Sequence, residues 1–296
     1  MTPHTPFPGL MIPNRFRLCE LFGIPVFLDI SLVFLLLLFV SGGGTLVSGV
    51  FSAFLLLVSI TLHELGHALT ARVFGYRTRD ITLSLLGGCA SLIALPRRAS
   101  QEFLTAVAGP LVSFMLAFLG MCGLALCATD GGLGDAFLFV LREVFSSFGV
   151  NWDLGCMLRV PVGRLELAGT LAYFAIMNGV LGFFNLLPGF PMDGGRVFRS
   201  AMRSFMPRTR ATYIAMVVGR VVAVLLALSA FYRMMNGGSW GFVTLLIAWM
   251  IWKEGQREYL QVLSEDSWGG GWDFSARVSP PPYGGKGDHT EIRRGN

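Results

Sequence analysis

Six apolar runs, separated by polar or glycine-rich breaks, divide the sequence. They are Ile24–Val40, Leu46–Phe74, Phe103–Ala128, Leu167–Leu187, Tyr213–Phe231 and Trp240–Trp252. A helix that crosses a bilayer takes about 20 apolar residues, so the runs predict spans. The first closes on Ser41-Gly42-Gly43-Gly44. It begins late and carries Pro25 and Asp29 in its first turns, which favours a retained span over a cleaved signal peptide. The last is short for a crossing unless Gly237–Gly241 extends it. Over residues 78–95 the period changes from helical to alternating. Ile81, Leu83 and Leu85 alternate with Thr82 and Ser84, Gly87-Gly88 offers a turn, and Cys89–Leu95 returns. This predicts a β-hairpin, with an ordinary surface loop as the alternative. Residues 129–165 are the longest loop between spans and hold no motif. The short stretch Val197–Phe205 reads as an amphipathic, basic helix. From Glu265 onward the chain is rich in Gly, Pro, Ser and charge, which predicts disorder. The fold class predicted is an all-α polytopic membrane protein, with about six transmembrane helices and a small membrane-associated β-hairpin.

Composition agrees with that pattern: 53% of residues are hydrophobic and 14% charged, and the mean hydropathy is +0.62. The net charge of +5 could point to an anionic partner. No basic stripe with interleaved aromatics is present, so nucleic acid is not an expected partner. The lipid bilayer is, and the basic residues report topology instead. One set of loops holds Arg15, Arg17, Arg72, Arg77, Arg79, Arg97, Arg98, Arg196, Arg199, Arg203, Arg208, Arg210 and everything from Lys253 on. The other holds Arg142, Arg159, Arg164 and Arg233. The rich side is expected to be cytoplasmic, with both termini on it. The chain then divides into a cytoplasmic lead (1–23), an intramembrane domain (24–253) and a largely disordered cytoplasmic tail (254–296). The five cysteines, Cys19, Cys89, Cys122, Cys127 and Cys156, have no CxxC spacing, so neither a cysteine-type zinc site nor a redox motif is indicated. Arg220 lies inside the fifth run, where it either pairs with an acid or snorkels to an interface.

The second run carries His63-Glu64-Leu65-Gly66-His67. Positions i and i+4 share a helix face, so His63 and His67 can offer two imidazole nitrogens to one metal ion. Zinc suits imidazole and carboxylate ligands and leaves a position open for water, whose pKa it lowers. Glu64 stands where it can take that water's proton and pass it to a leaving amine. Two core histidines bonded only to protein are the plain alternative. Ionisable groups inside a span are costly, which favours the metal.

Two histidines leave a zinc site incomplete. The fourth run ends in Phe184-Asn185-Leu186-Leu187-Pro188-Gly189-Phe190-Pro191-Met192-Asp193-Gly194-Gly195-Arg196. Pro188 and Pro191 break the helix and Gly194-Gly195 permit a sharp path, with Asp193 held between. Asp193 is the natural third ligand. The alternative is an aspartate capping the next helix. The orientation count brings Asp193 to the same side and depth as His63 and His67.

HELGH within a span, followed by FNLLPGFPMDGGRV, resembles the site-2 protease family of intramembrane zinc metalloproteases. The resemblance covers roughly residues 20–210. It implies zinc bound by His63, His67 and Asp193, with Glu64 catalytic. It also implies that Asn185 steadies substrate or oxyanion, and Asn178 matches a further asparagine of the family. The hairpin at 78–95 resembles the family's membrane-associated hairpin, which offers an edge to an extended substrate. The family's Gly-Pro motif often has Asn three residues after Pro, whereas Ser113 stands here. No PDZ domain or CBS pair is expected in 129–165 or after 252. The function implied is cleavage of transmembrane protein substrates in regulated proteolysis, in the inner or plasma membrane, with the active site towards the cytoplasm. A membrane metal transporter and an inactive family scaffold are the alternatives. The oligomeric state is not readable from the sequence.

Overall fold

The computed structural model describes residues 15–33, 37, 46–84, 87–92, 98–127, 132–148, 167–235 and 241–269. Among the described residues four strands and seven helices follow one another. Strands β1 (Arg15–Leu21) and β2 (Ile24–Asp29) precede helix α1 (Leu46–Val73), and β3 (Thr78–Ser84) and β4 (Gly87–Leu92) follow it. Then come α2 (Ala99–Cys127), α3 (Leu133–Phe148), α4 (Leu167–Asn185), α5 (Asp193–Met202), α6 (Arg208–Met235) and α7 (Gly241–Gly269).

The sheet has the order β1-β2-β3-β4. β1 and β2 form an antiparallel hairpin whose two loop residues, Phe22 and Gly23, both have positive φ (51° and 76°). That is the type I′ geometry that matches strand twist. β2 pairs in parallel with β3, and α1 is the connection between them. β3 and β4 are antiparallel, as the hairpin reading expected. The two strands before α1 are a correction. Ile24–Asp29 is not the start of a span. Ile24 and Val26 are buried with partly buried residues between them, so the burial has period two. The backbone N–H of Ser31 then closes on Asp29 Oδ1 at 2.8 Å and ends the strand.

Ile24, Val26, Ile81 and Leu83 from the sheet pack on Ile60, Leu65 and Ala68 of α1. The sheet therefore lies against the helical segment that carries the histidines. Among the described residues four helices are long and apolar enough to cross a membrane: α1, α2, α4 and, from Arg208 to Tyr232, α6. A 28-residue helix such as α1 is about 42 Å long, more than the roughly 30 Å of hydrocarbon. Their outward faces carry Phe54, Leu111, Met115, Phe118, Leu225 and Leu228, all more than half exposed. Such a surface suits lipid and not water. The chain is an integral membrane protein, and the described residues supply four of the expected spans.

Two further expectations change. Residues 133–148 of the long loop form α3, whose Val140 and Val144 pack with Met121 of α2 and Ala175 of α4. α7 does not stop at the expected domain edge of 253 but runs on to Gly269, so 254–269 is helix. The other edge, at 24, falls between two paired strands.

The crossings are made close by glycine. A Cβ on Gly120 of α2 would stand 3.1 Å from the Leu171 carbonyl oxygen and 3.0 Å from Ala175 Cβ of α4. A Cβ on Gly66 of α1 would stand 2.9 Å from the Ala108 carbonyl oxygen of α2. In lipid the drive for helices to associate is close packing rather than escape from water, and small residues provide it. Gly120→Leu is expected to lower stability by about 1–3 kcal/mol, the usual cost of overpacking. Zinc content of the folded fraction should not change, because Gly120 packs on Leu171 and Ala175 of α4 and not on a candidate ligand. Thermal melting in detergent and metal analysis of the same sample check both points.

Candidate metal centre

α1 turns its buried stripe inward at His63, Glu64, His67, Ala68 and Ala71. The i, i+4 spacing brings the two imidazoles together edge to face, with ring centres 4.9 Å apart and planes at 76°. Their Nε2 atoms are 3.2 Å apart. α2 crosses this face with Gly109. A Cβ there would overlap Nε2 of both His67 and His63. The two rings therefore occupy the space that a side chain at 109 would need.

The third group arrives from the loop after α4. Backbone bonds from Gly189 to Leu187 and from Met192 to Gly189 fold the loop tightly. α5 begins with Asp193. A Cβ on Gly194 would overlap the carbonyl oxygens of Leu186 and Leu187, and one on Gly195 would stand 2.7 Å from Gly189 carbonyl carbon. Both glycines are needed for the loop to lie on the start of the helix. Asp193 Oδ2 lies 3.0 Å from His63 Nε2 and 3.0 Å from His67 Nε2. The N-cap of α5 is Met192, and no side chain caps it. Asp193 thus sends its carboxylate to the histidines, not to its own helix. All four residues, His63, Glu64, His67 and Asp193, are buried.

The other nitrogen of each ring decides what the centre can hold. His67 Nδ1 lies 2.7 Å from the Thr105 carbonyl oxygen. That oxygen only accepts, so in neutral His67 the proton sits on Nδ1 and Nε2 presents a lone pair. His63 Nδ1 lies 2.8 Å from Ser113 Oγ, which can accept in the same way. Two imidazole lone pairs and a carboxylate then face one point, with the three ligand atoms within 4.8 Å of one another. With neither a proton nor a metal ion between them, such an arrangement is repulsive. A tetrahedral zinc with bonds of about 2.0–2.1 Å sets its ligand atoms about 3.3 Å apart, close to the 3.0–3.2 Å found here. The donor set fits zinc and leaves a fourth position outside the three side chains. Glu64 stands next to His63 and interacts electrostatically with His67.

The sequence matches the model of peptidase family M50 over residues 51–226, which include all four residues. A Methanocaldococcus jannaschii protein named a zinc metalloprotease is 31% identical over 215 residues, 72% of this chain and 52% of that one. A Synechocystis protein provisionally named a zinc metalloprotease is 30% identical over 260 residues, 82% of this chain and 59% of that one. The solved structure of the Site-2 Protease from Methanocaldococcus jannaschii superposes with a TM-score of 0.52 at 25% identity, covering 83% of this chain and 95% of that one. This chain belongs to peptidase family M50, the site-2 protease family. It spans between half and three-fifths of the length of these two curated M50 relatives, 52% and 59%.

The structure does not bring the two asparagines named with this family into the cluster of three. Asn178 is fully buried and its Nδ2 donates to Ser59 Oγ of α1 at 3.1 Å and to the Phe174 carbonyl at 2.9 Å. Asn185 Nδ2 donates to the Leu181 carbonyl of its own helix at 2.9 Å. Arg220 is placed too: its guanidinium carbon lies 4.7 Å above the Trp252 ring of α7. Thr105 and Gly109 were given no role from the sequence, and Ser113 was noted only as a departure from the family's asparagine. The only signal for them was Gly109-Pro110 near the start of an apolar run, with a serine three residues on. Ser113 reaches the ring by hydrogen bonding, which a serine does as an asparagine would.

Two substitutions separate space from orientation. Gly109→Ala is expected to abolish stoichiometric zinc, because the added methyl takes the room of the rings. Ser113→Ala keeps the space and removes the hydrogen bond, so zinc affinity should fall about 10–100-fold. Competition with a chromophoric chelator measures both.

Proposed function

We propose that this chain is an intramembrane zinc metalloprotease that cleaves the membrane-spanning segments of other proteins in regulated proteolysis. The observation that carries this reading is the buried His63–His67–Asp193 cluster beside Glu64, with both histidines and Glu64 inside a helix long and apolar enough to span the membrane. In it, His63, His67 and Asp193 hold the metal. Bound zinc supplies Lewis acidity, which polarises a carbonyl and makes water a nucleophile near neutral pH. Glu64 accepts the proton from the attacking water and delivers it to the departing amine. Thr105 and Ser113 hold the rings so that both Nε2 atoms face Asp193. Asn185, at the end of α4, is six residues from Pro191 and remains the candidate for steadying substrate or oxyanion, and Asn178 the second such candidate. A substrate helix hides its carbonyls in its own hydrogen bonds, so it has to unwind before it is cut. The strand edge of β4, next to the helix that carries Glu64, suits pairing with an extended segment.

The excess of basic residues on one set of loops supports a metal centre towards the cytoplasm, with both termini on that side. The transporter reading needs a succession of sites, and one His/Asp cluster is found among the described residues.

Glu64→Gln keeps the shape and removes the base. Zinc should stay near one per chain while cleavage of a membrane-helix substrate falls about a hundredfold or more. His63→Ala, His67→Ala and Asp193→Ala should lose zinc and activity together. Wild-type cleavage by Glu64→Gln would end the protease reading, and full zinc in Asp193→Ala would remove the third ligand. For topology, reporters placed in 129–165 and at the C-terminus should read opposite sides, the second cytoplasmic.

A further inference from the structure

A second cluster of charges lies nearly two helix turns along α5 from the metal centre. Arg199, on α5, is six residues after Asp193 and only 2% exposed. Its Nε and Nη2 donate to Glu102 Oε1 of α2 at 2.8 and 2.5 Å. Its Nη1 donates to Glu258 Oε1 of α7 at 2.5 Å. Arg203 Nη1 donates to the other oxygen of Glu102 at 2.5 Å. The guanidinium of Arg199 also lies 5.0 Å above the Phe190 ring, in the loop that delivers Asp193. Two cations and two carboxylates compensate one another, and the planar fork of Arg199 holds three elements at once.

The placement of these elements gives the cluster its meaning. α5 has ten residues, too few to be stable alone, and Asp193 is its first. Glu102 stands one turn before Thr105, whose carbonyl orients His67. The bond from Arg199 to Glu102 thus joins the helix that begins with Asp193 to the helix that orients His67. The bond from Arg199 to Glu258 joins the same helix to α7. Buried charges are costly to keep and strongly destabilising to leave unpaired.

We propose that Arg199 and Glu258 are positioning residues of the metal centre, and that α7 beyond its apolar half holds Asp193 in place through them. Neither touches the metal ligands. They set where α5 sits, and so the distance from the Asp193 carboxylate to the two imidazoles. Movement of α7 away from α5 would loosen the metal site from a distance. This inference rests on the reading of His63, His67 and Asp193 as zinc ligands.

The test uses the full chain in detergent. Glu258→Gln removes the charge with little change of shape, and Arg199→Lys keeps the charge but loses the fork. Glu254→Gln is the control, because its partner Arg257 is on the same exposed face of α7. In Glu258→Gln and Arg199→Lys, zinc release to a chelator should quicken about tenfold, and the visible spectrum of the cobalt-substituted protein should shift. Amides of 193–202 in the metal-free protein should exchange faster. Glu258→Asp should recover most of the zinc retention. Glu254→Gln should match wild type. Wild-type zinc release, spectrum and exchange in both variants would overturn the proposal, as would an equal effect of Glu254→Gln. A wild-type chain that takes up no zinc would instead overturn the reading of the metal centre, and the positioning role with it.

Discussion

Three lone-pair donors meet at one point in the middle of a membrane protein, and much of the structure serves that meeting. Asp193 Oδ2 and the two Nε2 atoms stand 3.0–3.2 Å apart. Away from water, such a convergence is unfavourable unless a cation neutralises it. The ring positions are set by Thr105 and Ser113 on the opposite nitrogens. The carboxylate position is set by a loop, a ten-residue helix and a buried arginine. No one element holds the centre: α1 brings the imidazoles, α2 orients them, and α5 brings the acid.

Glycine makes these approaches geometrically available. Gly109 lets the backbone of α2 lie on the imidazoles. Gly194 and Gly195 let the loop lie on the start of α5. Gly189 and Gly219 meet with a Cβ on the first only 2.8 Å from Cα of the second, which seats the same loop on α6. At these crossings large side chains such as Leu111, Met115 and Phe118 face outward instead, where lipid accepts them. This inversion, small inside and large outside, follows from a solvent as apolar as leucine. A four-stranded sheet can sit against α1 because its inner face is apolar and neighbouring strands satisfy the hydrogen bonds they turn towards each other.

Membership of peptidase family M50 agrees with the geometry, and the matched residues 51–226 contain the cluster and the loop that completes it. They end within α6, before α7 begins. The helix that reaches Arg199 through Glu258 therefore lies outside the matched segment, although it contacts an arginine inside it.

Much of this was legible in the sequence because the signals are local. The four long apolar helices could be read from the runs, since a bilayer demands length and hydropathy in one continuous segment. HELGH could be read as two donors on one face because helical spacing is fixed by the backbone. The strand at 78–84 showed its alternation, whereas Gly87 and Gly88, expected as the turn, are paired within the strand 87–92. Ile24–Asp29 misled, because a short buried strand and the start of an apolar helix have the same composition, and its pairing with β3 lies across the whole of α1. Residues 133–148 held an amphipathic helix that makes sense only once α2 and α4 offer it a groove. Ser113 is fifty residues from His63, Arg199 ninety-seven from Glu102 and fifty-nine from Glu258. Pairings of that kind carry no local periodicity. They exist only when packed helices bring the partners together, so tertiary structure alone decided them.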